Sequence, residues 1–172
     1  MKTSDLKKKL NAMSKDDLVK DILDLFQKDQ FVQDYYISKE SDNSNSPIFL
    51  KHKEIIEKEF FPARGDGKAR LSVARNSIST FRKLSDNNLL IADLMICYVE
   101  VGVRYTNEFG DINENFYSSM EKMFEQALKF IVSNNLSTHF QDRCLDIVED
   151  TANIGWGFHD ELSALYARYI AN

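Results

Sequence analysis

The sequence predicts an all-α protein, and three observations carry the prediction. Apolar residues recur at three- and four-residue spacing through most of the chain. No segment shows sustained two-residue alternation, and only six Gly and two Pro interrupt 172 residues. The expected architecture is a set of stacked antiparallel helical hairpins. It would be either a short α-solenoid of HEAT or armadillo type or an irregular helical bundle. A short N-terminal helical segment, 1–40, is expected to pack on a helical-hairpin domain, 47–172, giving one compact domain overall.

Ser4 and Ser14 are placed to cap two short helices, and Asp16 and Asp17 suit the positive end of the second. Leu18, Ile22, Leu25 and Phe26 form its apolar stripe. Phe31, Val32, Tyr35 and Tyr36 mark a third short helix. The polar run from Ser41 to Pro47 reads as a loop, and Ser46-Pro47 as a helix start that carries Ile48, Leu50, Ile55, Ile56 and Phe60 to a stop at Pro62. After the turn Arg64-Gly-Asp-Gly67, a helix is expected from about Lys68 to Leu84, with Leu71, Ala74, Ile78 and Phe81 inward. Ser85 is expected to cap the next helix, which runs to about Glu108. Further helices are expected over about Glu114–Val132, Ser137–Ala152 and Phe158–Ile170.

Two charge stripes mirror each other across Leu84. Lys68, Arg75 and Arg82 stand seven apart, as do Asp86, Asp93 and Glu100. An antiparallel hairpin folded at Leu84 would pair Arg82 with Asp86, Arg75 with Asp93 and Lys68 with Glu100, fixing its register. A shift of 49 residues carries Leu71, Ala74, Ile78 and Phe81 onto Met120, Met123, Ala127 and Phe130, and Asp93 and Glu100 onto Asp142 and Glu149. This weak echo is the argument for stacking. Read separately, the basic stripe would be an anion-binding edge and the carboxylates a metal cluster. The paired hairpin explains both without a ligand, and the Glu-x-x-His pairs of di-iron bundles are missing.

Net charge is −5 and the pI about 5.2, which disfavours a general nucleic-acid binder. Residues 59–83 nevertheless carry six bases and two acids, so weak nucleic-acid binding through the 64–83 stripe is kept as an alternative. Arg64, Lys68 and Arg70, beside two glycines and a helix start, could cradle a small anion, although no P-loop spacing is present. The bland alternative is a tight turn with its bases paired. The segment Ile154-Gly-Trp-Gly-Phe-His-Asp160 holds the only Trp. Trp156, His159 and Asp160 are ligand-binding candidates there. The simpler expectation has Trp156 plugging the core and Asp160 capping the last helix. His52 and His139 have no second ligand at metal spacing, so no metal and no cofactor is expected. Cys97 and Cys144 sit at apolar helical positions and are expected as buried reduced thiols. No signal peptide and no membrane span is expected, which makes the cytoplasm the default location.

Five blocks carry a resemblance: Glu59-Phe-Phe-Pro-x-Arg-Gly, Leu71-Ser-Val-Ala, Ala92-Asp-Leu-Met, Tyr117-Ser-Ser-Met-Glu and Ile154-Gly-Trp-Gly-Phe-His-Asp. Over roughly residues 14–170 the chain resembles a family of small bacterial all-helical proteins known only as a domain of unknown function. The Leu18–Tyr36 hairpin is also similar to helical pieces of other bacterial proteins. The resemblance implies a bacterial cytoplasmic protein and brings no activity, cofactor or site with it. The leading functional expectation is a helical interaction module that presents one face to a protein partner or to itself. The alternative is a metabolite-binding protein or enzyme joining the 64–70 turn to the 154–160 segment. No complete catalytic set is present in the sequence, so an enzyme is the less favoured of the two.

Overall fold

The computed structural model of the protein describes all residues except Asp42, Asn45, Asp66 and Asn172. Two positions of the 41–47 loop and the aspartate of Arg64-Gly-Asp66 therefore lie outside the described residues. Among those described there are nine helices and no strand. They are α1 (Thr3–Asn11), α2 (Lys15–Lys28), α3 (Gln30–Glu40), α4 (Pro47–Phe60), α5 (Leu71–Phe81), α6 (Asn88–Phe109), α7 (Glu114–Ser133), α8 (Ser137–Glu149) and α9 (Phe158–Tyr169).

The fold is organised by α6, which is apolar on nearly every side and must be surrounded. It packs against α4, α5, α7 and α8. Gly102 is what lets α7 close on it, because a Cβ there would stand 2.3 Å from the Met120 sulfur. Phe60, at the end of α4, seats an aromatic cluster with ring centroids 6.0 Å from Tyr98, 5.7 Å from Tyr105 and 6.5 Å from Phe116. α9 covers the far side of α7 with Phe158, Leu162 and Leu165.

The packing is all-helical and does not by itself establish the stacked hairpins expected from the 49-residue echo. α4 packs on both α5 and α6, and α6 on both α7 and α8, contacts that stacked hairpins and an irregular bundle have in common. The echoed carboxylates differ in surroundings. Asp93 and Glu100 are in ion pairs, while Asp142 and Glu149 are exposed.

Element ends depart from expectation at three places. α5 starts at Leu71 and not at Lys68, because residues 67–70 fold back along the end of α4. There the Ala69 N–H donates to the Glu59 carbonyl at 2.8 Å, and a Cβ on Gly67 would strike the Phe60 carbonyl oxygen. The cap of α6 is Asn87, whose Oδ1 accepts from Leu89 and Leu90; Ser85 accepts from the Asn87 N–H one turn earlier. α1 starts at Thr3 behind Lys2, so Ser4 lies inside the helix, while Ser14 caps α2 as expected.

The N-terminal helices attach to the rest through α3. Asp34 meets Lys51 of α4 at 2.6 Å, and the Ser38 hydroxyl donates to the Leu84 carbonyl at 2.7 Å. Neither α1 nor α2 contains a buried residue.

Candidate functional site

Three polar clamps join the helices around α6. The first is Arg70, which grips the Glu59 carboxylate with both fork nitrogens, at 2.8 and 2.6 Å. The hydrogen bonds from Arg70 hold the Glu59 carboxyl below its ordinary range. In the second, the Arg75 guanidinium donates to Ser119 of α7, and the same hydroxyl meets the Tyr98 phenol of α6 at 2.8 Å. The third is Arg143 of α8. It binds both Glu100 oxygens at 2.8 Å and reaches Asp93 at 3.1 Å, with Lys53 of α4 3.7 Å from the same Asp93 oxygen.

These clamps replace the mirrored pairing. Arg75 does not pair with Asp93, nor Lys68 with Glu100, nor Arg82 with Asp86. Lys68 and Asp86 are outside the helices, and the α5–α6 connection spans 82–87, so no fold at one residue exists. The two stripes also face different sides of the molecule. Arg75 looks toward α7, while Asp93, Cys97, Glu100, Arg104 and Asn107 follow one another along the side of α6 that faces α4 and α8. Arg82 lies over the Phe130 ring, 5.1 Å from its centroid.

That side of α6 floors a cleft of about 490 Å³. Lys53 and Glu57 of α4 form one wall, and Arg143, Asp146 and Ile147 of α8 the other. Its charges are mixed, and the innermost ones already satisfy one another. Burial works against the Arg143 charge, but Glu100 and Asp93 outweigh it and raise the guanidinium pKa further. The Cys97 thiol at the base is pushed up to about 12 by burial, so it is no nucleophile at neutral pH; Cys144 is held in the same way. No group of three or more His, Cys, Asp or Glu among the described residues is placed to hold a metal.

Of the expected turn site, Arg64, Lys68 and Arg70 do share a small groove of about 220 Å³ with Lys58, Glu59 and Pro62. Arg70 is committed to Glu59, as the alternative of a tight turn with paired bases has it. None of the residues 154–160 lines that groove. Trp156 does not plug the core. It is 61% exposed, at φ +64°, lying over Tyr117 with ring centroids 6.1 Å apart, and the core place goes to Phe158. His159 serves the end of α8: its Nδ1 lies 2.9 Å from the Thr151 hydroxyl and 3.2 Å from the Val148 carbonyl. Ser163 is 3.5 Å from the other ring nitrogen, and the carboxylate that would orient a catalytic His is replaced by that carbonyl. Asp160 stands in the first turn of α9 behind Gly157, which is the cap residue.

The remaining feature is the face of α2. Leu18 and Phe26 are half-buried, while Val19, Ile22, Leu23 and Leu25 are exposed. On α3, Phe31, Tyr35, Tyr36 and Ile37 are exposed as well. Together they make an apolar surface on the N-terminal arm, where the body displays only scattered apolar residues.

A family model described as a family of unknown function, DUF6155, matches residues 1–170. The chain belongs to DUF6155. No curated protein and no solved structure matches it. The match takes in the arm as well as the body of this DUF6155 chain. Three residues of the blocks that carry the resemblance, Glu59, Asp93 and Ser119, turn out to be members of the three clamps. Arg143, Lys53 and Ser119 had no local signal as partners, because each lies 40 or more residues from at least one group it meets. No helix among the described residues is long and apolar enough to cross a membrane.

Proposed function

We propose that this protein is a helical protein-interaction module whose docking element is the arm formed by α1, α2 and α3. One observation carries the reading. Six of the 14 residues of α2 are large and apolar, and none of the 14 is buried. Isolated helices of this length are marginal in water and gain their stability from packing an apolar face. The face of α2 is thus formed and presented without the packing that ordinarily supports it. The clamped body serves as the scaffold that holds α3, and through it the arm, in place.

The test is a photoreactive amino acid at Val19 of the full chain in the cells that make it. The expected result is an adduct of one discrete mass, lost when Ile22→Glu is added and not formed from the body position Leu145. Equal labelling from Val19 and Leu145, or none from either, overturns the reading.

A second reading, a small-anion site at the 64–70 turn, is favoured by one observation: Arg64 and Lys68 share a groove and make no ion pair with a described residue. Inorganic phosphate would then shift the backbone resonances of residues 64–70 saturably. Weak nucleic-acid binding through the 64–83 stripe has less support, because Arg70 and Arg75 are already engaged.

A further inference from the structure

We infer that the partner of the arm is a second copy of this chain, joined through an antiparallel pairing of α2 with α2 about a twofold axis. The inference rests on the reading of the arm as a docking element and names its occupant.

The first argument is the width of the apolar face. At 100° per residue, Leu25, Leu18, Ile22, Phe26, Val19 and Leu23 span an arc of about 160°. A helix with one neighbour needs a narrower stripe, and a helix in a four-helix bundle has two neighbours. α2 has α3. The Gln33 amide donates to the Phe26 carbonyl at 2.8 Å, and the Phe26 and Tyr36 rings are 6.2 Å apart. This contact engages Phe26 and leaves Leu23 55% and Val19 46% exposed. A second identical hairpin supplies the missing neighbour to both copies at once, and twofold dimers are the commonest assembly of a single chain.

The second argument is charge. Centre an antiparallel pair between Ile22 and Leu23. Val19 then faces Phe26 of the second copy, and Leu23 faces its Ile22. On the flank beside this seam, Lys20 and Asp24 of the second copy stand one residue out of register, about 1.5 Å along the axis and within reach of a long side chain, and so do Asp24 and its Lys20. A parallel pair would set Lys20 on Lys20 and Asp24 on Asp24. Opposite charges at the flanks select orientation in paired helices.

The same charges disfavour the other surface that an amphipathic helix can meet, an anionic membrane. Within α2, Asp16, Asp17, Asp21 and Asp24 outnumber Lys15, Lys20 and Lys28, whereas interfacial membrane helices are rich in bases on the polar face. One helix pair buries less than the ~1,600 Å² of a standard interface, so the dimer is of the weak, concentration-dependent class.

The full chain is measured by sedimentation equilibrium up to about 1 mM. The mass is expected to rise from 19.9 kDa toward twice that value. Lys20→Asp should weaken the dimer several-fold, and adding Asp24→Lys should restore it. Leu23→Cys, next to the axis, should form a disulfide-linked dimer under mild oxidation. Leu145→Cys, similarly exposed on the body, should not, and the native Cys97 and Cys144 are buried. A chain that stays monomeric at every concentration without a Leu23→Cys cross-link overturns the inference. Co-sedimentation with phosphatidylglycerol vesicles, abolished by Ile22→Glu, in a chain that does not dimerise also overturns it. If such a monomer still gives a discrete Val19 adduct with a different chain, self-pairing fails while the docking reading stands. If it gives none, both fail.

Discussion

Thirteen of the 22 residues of α6 are buried, and none of the 14 residues of α2 is. Both helices are rich in apolar residues, so composition alone does not separate them. Their surroundings do. Around α6 each polar clamp joins different elements: Glu59 of α4 with Arg70 at the start of α5, Arg75 and Tyr98 with Ser119, and Arg143 with Glu100 and Asp93. In the arm the polar bonds of α2 are local, such as Lys28 with Asp24 and the Ser14 cap. It is α3 that reaches the body with polar bonds, through Asp34 and Ser38. The body is held by packing and by bonds between helices, and the arm leaves the apolar face of α2 exposed.

The largest expected effect tests the body side of this contrast. Phe60 is fully buried against three aromatic rings. Phe60→Ala should cost about 4 kcal/mol, the ordinary range for emptying an aromatic site in a packed core, and should be read by urea unfolding. A loss under 1 kcal/mol would mean that the body is as loosely packed as the arm. Next comes Arg143→Ala, which strands Glu100 and Asp93 together in the cleft. Removing one member of a fully buried pair costs about 3–5 kcal/mol; all three side chains here keep partial access to water, so about 2 kcal/mol is expected. Arg143→Lys should recover only part of it, since an ammonium cannot reproduce the fork.

A smaller effect comes from His52, which is buried on α4. The Ser77 hydroxyl donates to the His52 carbonyl, so Nδ1–H donates to Ser77 at 2.8 Å, and Nε2 is left without a partner. Burial, with Lys51 nearby, holds the His52 pKa below its ordinary 6.5; Asp34 pulls weakly the other way. The unfolded chain therefore binds a proton that the folded chain refuses. Stability contributed by neutral His52 is complete above pH 6.5 and is lost as pH falls from 6.5 toward the folded pKa, at up to about 1.4 kcal/mol per pH unit. Unfolding curves at pH 7.5 and 5.5 should show the loss, and His52→Leu should flatten it. An unchanged slope in that variant would assign the acid sensitivity elsewhere.

The helices were legible because their apolar spacing is a local property. Pro47 at a helix start, Ser14 as a cap and the long apolar run of α6 all declare themselves within a few residues. The clamps were not legible, because they depend on how each helix is rotated. Asp93 and Glu100 were visible as a charged stripe, but their partner Arg143 is 50 and 43 residues away, on a helix with no mirror relation to them. Trp156 misled for a related reason. It and Phe158 stand two residues apart beside Tyr117, and only the backbone through Gly157, at φ +69°, decides which ring turns inward. The bare face of α2 was hidden in plain view, since an apolar stripe in a sequence does not say whether anything covers it.

The smallest expected effect breaks the contrast most cleanly if it fails. Ile22→Glu puts a charge at the middle of the α2 apolar arc. In the core such a change would strand a carboxylate and unfold the protein. On α2 the side chain is 42% exposed, so the new carboxylate keeps its water and the helix keeps its cap, its Lys28–Asp24 pair and its attachment through α3. Glutamate is also a better helix former than isoleucine, by a few tenths of a kcal/mol. Unfolding at low micromolar concentration, where no pairing of copies contributes, should therefore change by less than about 0.5 kcal/mol. A loss of 2 kcal/mol or more would show that α2 supports the body after all, and its exposed face would then be part of the fold and not a surface kept for a partner.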